Sequence, residues 1–249
     1  MKIRFLGTSA SIPTIARTTS AILVDHDLLL DCGEGTTQKL LKLNPEDTCL
    51  ERIRTIAITH AHADHISGLV TILWTMWLSG RTLPLRIVGS DNVKDSIIRL
   101  LKAVNTPIEG FKFKFDVDVM KSGEKSGELF TLQTVHEPPN LAYRIERNKG
   151  ICYTGDTAPF EKLVGFAKGC AILIHECSFP DELAHFAHEH KHSTPKDAAT
   201  VARDAGVDKL ALTHWWRRND GIEKRLVQQA RRIFDGDVIL ARDLLSIEV

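Results

Sequence analysis

Four side chains that can bind a metal ion lie within six residues of one another: His60, His62, Asp64 and His65. They come at the end of Arg54–Thr59, whose apolar residues predict a buried strand. In an extended chain, residues two apart point to the same side, so His60 and His62 can bind one ion. Asp64 and His65 then turn toward a second, adjacent position. Imidazole together with carboxylate favours zinc, with manganese or iron as poorer candidates. The alternative is a polar loop that is rich in histidine by chance.

The spacing His-x-His-x-Asp-His resembles the signature of the metallo-β-lactamase superfamily. Three further positions match that superfamily in order, each after a predicted strand: His136, Asp156 and His214. The resemblance implies two divalent metal ions. The first would have three histidine ligands: His60, His62 and His136. The second would have a mixed set: Asp64, His65 and His214. Asp156 would bridge the two ions. Taken singly, Asp156 can also be a turn residue and His136 a surface histidine.

The resemblance narrows to the ribonuclease Z branch, whose members are transfer-RNA 3′-endonucleases. The segments that carry it extend over nearly the whole chain: Phe5–Ala10, Asp31–Thr36, Leu78–Arg81, His175-Glu176 and His192-Ser193-Thr194. In that branch the glutamate and the second histidine form a pair beside the metals, which implies a pair between Glu176 and His192. With Asp64, these two residues are the candidate catalytic residues.

The residues after His192 predict a site that favours an anion. Thr194, Pro195 and Asp197 are typical of a helix start, with Thr194 as N-cap and Asp197 as the reciprocal cap. His192 then lies just outside a helix N-terminus, whose exposed N–H groups favour an anion such as phosphate. Three histidines that precede this helix are interpreted as solvated polar residues: His185, His188 and His190.

Three residues near the candidate ligands have open interpretations. Asp31, at the end of the predicted strand Leu28–Asp31, is either a carboxylate that orients a metal-bound histidine or an ordinary strand-end aspartate. Trp215 and Trp216 follow His214 directly. One of them is a candidate wall of the substrate pocket, and the other is better explained as a core residue.

Three segments depart from the ribonuclease Z pattern. Members of that branch usually carry a long flexible arm, in many of them between the third histidine and the bridging aspartate. Here Leu141–Glu146 and Ile151–Thr154 predict a tight hairpin that turns at Arg147–Gly150. The loops after His136 and His214 also differ from the residues usual in the branch. Both loops face the substrate, so the departures bear on substrate identity and not on metal chemistry.

The elements that must position these residues alternate between short β-rich runs and helical stretches. The predicted strands are Lys2–Leu6, Ala21–Val24, Leu28–Asp31, Arg54–Thr59, Leu85–Val88, Lys112–Met120, Leu129–Val135, Leu141–Glu146, Ile151–Thr154, Cys170–Ile174, Lys209–Thr213 and Val238–Leu240. One predicted helix begins over Thr36–Lys42. The other predicted helices cover Ile66–Leu78, Val93–Val104, Pro195–Ala205 and Ile222–Ile233. Strands ahead of helices in two successive halves predict an α/β fold, a four-layer αββα sandwich, as one domain over residues 1–249.

Composition limits the class of protein. Lysine plus arginine and aspartate plus glutamate both number 32, and this balance argues against a protein that binds nucleic acid with its whole surface. No apolar run approaches the roughly 20 residues of a membrane span, and no signal-peptide pattern is visible. The five cysteines include no CxxC pair, which favours reduced thiols. We therefore expect a cytoplasmic protein with no membrane partner.

The expected reaction is metal-assisted hydrolysis of a phosphodiester, in a small molecule or in RNA. Two ions lower the pKa of a bridging water and neutralise the phosphoryl oxygens, and Asp156 is placed to accept the water's proton. His192, kept protonated by Glu176, would donate to the leaving oxygen. The alternatives are a transfer-RNA 3′-processing endonuclease, with Arg217 and Arg218 as phosphate contacts, and an arylsulfatase or lactonase. A non-enzymatic scaffold is disfavoured because no ligand is missing. A homodimer is expected by analogy with the branch.

Overall fold

The computed structural model describes residues 1–43, 50–216 and 221–249, and these residues form two seven-stranded sheets. The strands of the first sheet are β1 Lys2–Gly7, β2 Ala21–Val24, β3 Leu28–Leu30, β4 Thr55–Ala57, β5 Leu85–Gly89, β6 Phe115–Val119 and β14 Ser246–Glu248. Those of the second are β7 Lys125–Ser126, β8 Leu129–Gln133, β9 Leu141–Arg147, β10 Lys149–Tyr153, β11 Cys170–Glu176, β12 Lys209–Thr213 and β13 Asp237–Leu240. The strand orders are β14-β1-β2-β3-β4-β5-β6 and β13-β12-β11-β10-β9-β8-β7.

The two sheets are built alike. In the first, β1, β2 and β3 pair antiparallel, and β3, β4, β5 and β6 pair parallel. In the second, β7 to β10 pair antiparallel, and β10 to β13 pair parallel. Parallel strands bring their carboxyl ends to one edge of a sheet, where ligands usually bind in α/β folds. The chain segments that follow β3, β4, β10, β11 and β12 start from that edge.

Helices cover the outer face of each sheet. Those of the described residues are α1 Thr36–Lys42, α2 Ala63–Ile66, α3 Gly68–Leu78, α4 Asp91–Ala103, α5 Lys162–Ala167, α6 Ala184–Glu189, α7 Pro195–Ala205 and α8 Glu223–Arg231. Helices α1, α3 and α4 pack on the first sheet, and α5, α7 and α8 pack on the second. A third apolar cluster fills the space between the sheets. This arrangement confirms the predicted αββα sandwich.

Alternation within the buried strands explains why one sheet serves two apolar clusters. In β2, Ile22 and Val24 face the opposite sheet, whereas Ala21 and Leu23 face the helices. Side chains point alternately to the two faces of a strand, and a sheet covered on both faces requires apolar residues at both. The continuous apolar run in β2 is therefore typical of an inner strand of a sandwich.

Several element boundaries differ from the prediction. The strand predicted at Lys112–Met120 covers only Phe115–Val119, and the helix predicted at Ile66–Leu78 is divided into α2 and α3. Because α2 begins at Ala63, Asp64 and His65 lie in a helical turn rather than in an extended loop. Helices α5 and α6 were not predicted, since six residues are too few to show a helical period. The strands β7 and β14 were not predicted either, because two or three residues are too few to show the alternation of a strand.

The expectations about membranes and thiols can also be compared with the fold. No helix within the described ranges is long and apolar enough to cross a membrane; the longest, α4, has 13 residues. The four described cysteines are unpaired and buried: Cys32, Cys152, Cys170 and Cys177. Burial raises the pKa of the Cys32 thiol to about 12, so this thiol stays protonated and unreactive at neutral pH.

A close backbone contact holds the His-x-His-x-Asp-His segment against the first sheet. Cys32 N–H donates to the His65 carbonyl at 2.8 Å, and Gly68 N–H donates to the Cys32 carbonyl at 2.9 Å. A Cβ atom at Gly33 would lie 2.2 Å from the backbone oxygen of Asp64. Glycine at position 33 is therefore required by space, because α2 approaches the chain after β3 too closely for a side chain.

We expect Gly33→Ala to destabilise the fold by about 1–3 kcal/mol, because the added methyl must push α2 away from the sheet. Gly165→Ala is the matched control. A Cβ atom at Gly165, inside α5, meets nothing within 4 Å, so alanine should stabilise by about 0.5–1 kcal/mol. Urea unfolding of the two variants gives both values. Equal stability of Gly33→Ala and the unchanged protein would contradict the close contact.

Candidate metal centre

The structure brings all seven predicted ligands together at the shared edge of the two sheets. One group has ligand atoms within 4.8 Å of one another: His60, His62, His136 and Asp156. A second group adjoins it: Asp64, His65 and His214. Asp156 reaches both, because its Oδ2 lies 3.7 Å from His60 Nε2 and its Oδ1 lies 3.4 Å from His214 Nε2. The structure thus brings together the residues that the sequence predicts as ligands, with Asp156 between the two groups.

Hydrogen bonds on the outer side of the rings determine which nitrogen each histidine offers. His65 Nδ1 lies 2.8 Å from Asp31 Oδ2, and His136 Nδ1 lies 3.1 Å from the Lys191 carbonyl. Both Nδ1 atoms are therefore engaged on the outer side, and each Nε2 is directed at the centre. Asp31 is thus in the position that the orienting interpretation requires.

The nitrogen and oxygen atoms that point into the centre are arranged for binding a metal rather than for hydrogen bonds with one another. His65 Nε2 and His214 Nε2 lie 3.4 Å apart, as do His136 Nε2 and His62 Nδ1. Asp156 Oδ1 is buried and accepts no hydrogen bond from the described residues. Ring nitrogens that face one another, beside a buried oxygen without a hydrogen-bond donor, favour a cation between them. The donor set, imidazole nitrogen and carboxylate oxygen, is that of zinc sites.

Burial and charge favour the protonation states that bind metal. Burial lowers the pKa values of His60, His62 and His136, so these rings are neutral. Burial opposes ionisation of Asp156, but the neighbouring rings, foremost His214, hold its pKa well below the usual range. For His65 burial is outweighed by carboxylates, Asp31 first, which raise the pKa well above its usual range. A metal at the second position must displace that proton.

Glu176 and His192 form the predicted pair beside this centre. His192 Nδ1 lies 2.8 Å from Glu176 Oε1, and the His192 ring centroid is 5.2 Å from that of His136. Burial opposes protonation of His192, but the Glu176 carboxylate raises its pKa to about 9. Glu176 is fully buried, yet His192 keeps the pKa of the carboxyl below its ordinary value. The pair is therefore an imidazolium and a carboxylate at neutral pH.

The structure leaves a second role open for His192. Its ring also offers a ligand atom within 4.8 Å of those of Asp156 and His214. The interpretation of His192 as a residue that binds no metal therefore stays a prediction. The helix start that follows it is confirmed, because Thr194 and Asp197 form a reciprocal capping box at the beginning of α7.

Other residues named in the sequence analysis lie away from the centre or outside the described residues. His185 is 97% exposed, and His188 pairs with Asp197 on the surface, as expected for solvated histidines. Trp215 is buried, and Trp216 packs edge-on to Phe179. Trp216 is thus the better candidate for the pocket wall. Arg217 and Arg218, the proposed phosphate contacts, lie outside the described residues.

Three contacts of the site were not anticipated. Thr59 Oγ lies 3.0 Å from His60 Nδ1, and Ser178 Oγ lies 3.0 Å from His214 Nδ1. The Arg17 guanidinium stacks on the Trp215 ring at 3.4 Å and donates to the Trp215 carbonyl at 2.9 Å. Thr59 precedes the predicted ligand His60, and Ser178 lies two residues after Glu176, but neither position by itself indicates a contact with a histidine.

The interval between His136 and Asp156, which the structure describes in full, contains no arm. Strands β9 and β10 pair with Arg147 opposite Lys149, so that Asn148 alone forms the turn. Asn148 has a φ of 40°, a left-handed conformation that asparagine tolerates. The predicted tight hairpin is confirmed.

This fold and this set of side chains define a metal-dependent hydrolase. The family model described as "Beta-lactamase superfamily domain" matches residues 26–215. Ribonuclease Z of Archaeoglobus fulgidus is 32% identical, over 100% of this chain and 97% of that protein. Human tRNase Z, short form, has a TM-score of 0.81 and 28% identity, over 100% of this chain and 99% of that chain. The metallo-β-lactamase fold protein YhfI of Bacillus subtilis has a TM-score of 0.84 and 23% identity, over 100% of this chain and 98% of that chain.

The chain belongs to the metallo-β-lactamase superfamily and, within it, to the ribonuclease Z-like branch. It is therefore a hydrolase of the phosphodiesterase class that depends on divalent metal ions.

We expect the fully loaded protein to hold two metal ions per chain. His60→Ala and His214→Ala should each empty mainly one of the two positions, because they remove ligands from different groups. His188→Ala, which removes an exposed histidine outside the centre, should retain both ions. Affinity should fall as the pH falls, because imidazole must be neutral to bind. The fall should begin at a higher pH at the position of His65, whose pKa is raised, than at that of His60, whose pKa is lowered. Elemental analysis of the purified variants measures the content. A single ion in the loaded, unchanged protein would exclude the dinuclear centre.

Proposed function

We propose that this chain is a dinuclear zinc phosphodiesterase that cleaves a small or unstructured phosphodiester, including single-stranded RNA. The observation that carries the proposal is the buried Glu176–His192 pair at 2.8 Å, directly beside the seven-ligand cluster. The cluster accounts for attack on phosphorus, and the pair accounts for departure of a poor leaving group. Residues 1–249 would act as one domain. The four unpaired cysteines favour a reducing, cytoplasmic location.

The chain's own carboxylates would accept the proton of the attacking water. Divalent ions at this centre lower the pKa of a bound water toward neutrality and offset the charge of the phosphoryl oxygens. Asp64 and Asp156 are both nearly fully buried, and neighbouring histidines keep the pKa of each carboxyl low. Asp156 Oδ1 accepts no hydrogen bond from the described residues, so a lone pair is available there.

His192 would protonate the leaving oxygen. Its Nδ1 is held by Glu176, which leaves Nε2–H to act as the donor. The side chain is 19% exposed, whereas Glu176 is completely buried, so the ring is open to substrate on one side only. A general acid of this kind typically contributes about 10²–10⁴-fold to the rate.

A short substrate is favoured over a folded transfer RNA by what the chain lacks. The alignment with the Archaeoglobus relative runs over 302 positions against 249 residues here, so that relative carries segments without a counterpart in this chain. Asn148 alone forms the turn between β9 and β10. The second candidate is transfer-RNA 3′ processing, which the names of the relatives favour. A homodimer, by analogy with the branch, completes the proposal.

Binding to a transfer-RNA precursor should be weak and strongly dependent on salt, because phosphate contacts release counterions and the net charge is zero. Replacing both Arg217 and Arg218 by alanine should weaken residual binding further. Filter binding or fluorescence anisotropy between 50 and about 200 mM salt measures both effects. Tight and structure-specific cleavage of the precursor at physiological salt would instead establish the endonuclease function.

His192→Ala should slow cleavage of a substrate with a ribose 3′-oxygen leaving group far more than cleavage of a p-nitrophenyl ester. The reason is that p-nitrophenolate departs without a proton, whereas an alkoxide needs one. The loss for the alkoxide should be about 10²–10⁴-fold, with both metals retained. His188→Ala, the surface control, should change neither rate. Steady-state kinetics on the two substrates, with metal analysis of each sample, provide the test. Equal losses for both substrates would remove the general-acid role, and loss of a metal would make His192 a ligand.

A further inference from the structure

Two buried carboxylates lie behind the ligands of the centre, one from each sheet. Asp31 follows β3 in the first sheet, and Glu176 ends β11 in the second. Both side chains are completely buried. Each accepts one imidazole N–H directly at 2.8 Å, from His65 in the first case and from His192 in the second. A buried carboxylate needs such donors, because an unpaired buried charge is very costly.

Each carboxylate also reaches a second histidine through a hydroxyl group. In the first half, Thr59 Oγ lies 3.0 Å from Asp31 Oδ1 and 3.0 Å from His60 Nδ1. In the second half, Ser178 Oγ lies 2.7 Å from Glu176 Oε2 and 3.0 Å from His214 Nδ1. His60 and His214 are ligands of different metal positions. The two halves therefore repeat one pattern of carboxylate, hydroxyl and imidazole.

The direction of the hydrogen bonds in the second half follows from the carboxylate. Glu176 is ionised and can only accept, so Ser178 Oγ–H donates to Oε2. The hydroxyl oxygen can then accept a hydrogen bond, which His214 Nδ1–H donates. The competing acceptor for the Ser178 hydrogen is the His214 carbonyl at 3.2 Å, but the carboxylate is closer and charged.

This arrangement directs His214 Nε2 at the centre. Nε2 lies 3.2 Å from Asp64 Oδ2 and 3.4 Å from Asp156 Oδ1, the two carboxylates of the second metal position. A histidine that binds a metal is usually held in this way, by a partner on its other ring nitrogen. Here the partner is a hydroxyl group that is itself fixed by a carboxylate.

We infer that Ser178 is a positioning residue for the metal ligand His214. Through Ser178, Glu176 supports the second metal position as well as His192. The inference rests on the proposed dinuclear centre. Ser178 thus connects the Glu176–His192 pair, which assists the leaving group, to a ligand of one metal ion. Ser178 is only 2% exposed, so water cannot readily replace its hydroxyl.

The test compares metal affinity in three variants. Ser178→Ala removes the hydroxyl and should weaken zinc at the His214 position about 10–100-fold, leaving the His60 position unchanged. Ser178→Thr keeps the hydroxyl and should retain both affinities. Ser193→Ala is the matched control, because Ser193 is a buried serine next to His192 whose hydroxyl donates to the Thr157 carbonyl at 2.6 Å. It should bind two ions as the unchanged protein does.

Zinc titration against a chelator gives the two affinities, and ¹⁵N spectra of the metal-free protein with labelled histidine give the tautomer of His214. The expected tautomer is Nδ1–H in the unchanged protein, with loss of that preference in Ser178→Ala. Equal zinc affinities in Ser178→Ala and Ser193→Ala would overturn the inference, whether or not the threonine variant folds. Failure of the unchanged protein to bind a second ion would instead overturn the proposed dinuclear centre.

A double-mutant cycle tests the path through Glu176. Glu176→Gln should weaken the same zinc position, because an amide is a poorer acceptor for the Ser178 hydroxyl than a carboxylate. If the effect passes through Ser178, Glu176→Gln should add little when Ser178 is already alanine. A full, additive loss in that background would show that Glu176 acts on the metal by another route and would contradict the relay.

Discussion

The satisfaction of two buried carboxylates, Asp31 and Glu176, is the constraint on which the rest of the centre depends. Neither has any exposed surface, and each is surrounded by hydrogen-bond donors. Tyr153 contributes its hydroxyl to Asp31 at 2.7 Å, and the Thr157 and Ser178 amides each donate to Glu176 at 3.0 Å. Hydroxyl groups and imidazole N–H groups supply the remaining donors, so meeting these needs also fixes the histidine rings. The metal-facing nitrogens are thus oriented by the requirements of charges that lie behind them.

The fold supplies these carboxylates where the parallel strands end. Residues just beyond β3 and β12 turn out of the sheet at once, and Asp31 and His214 do so with positive φ values of 57° and 56°. Aspartate and histidine are more frequent in this left-handed region than most residues, but the conformation still has a cost. Packing of the layers on both sides offsets that cost and holds the side chains at the shared edge. Each of the two sheets consequently contributes one buried carboxylate to the centre.

The ligands could be predicted from sequence because their spacing is local and their chemistry is restricted. Four lie in one short segment, and the others each follow a strand whose apolar run is plain. The residues behind them could not be predicted in the same way. Ser178 and Thr59 are ordinary polar residues in any pattern, and Arg17 reaches Trp215 across 198 residues of sequence. Their roles depend on how β11, β12 and the chain after β1 come together, which no periodicity records. The short helices α5 and α6 were not predicted for a related reason, because tertiary contacts rather than a local sequence pattern define them.

The central claim is that the centre holds two metal ions, which share Asp156 as a ligand. Crystals of the zinc-loaded protein, with anomalous diffraction recorded on both sides of the zinc edge, test this claim most directly. The account predicts two anomalous peaks about 3.5–4 Å apart. One should lie among His60, His62 and His136, and the other among Asp64, His65 and His214, with Asp156 between them. A single peak, or a peak bound by His192 in place of His214, would contradict it.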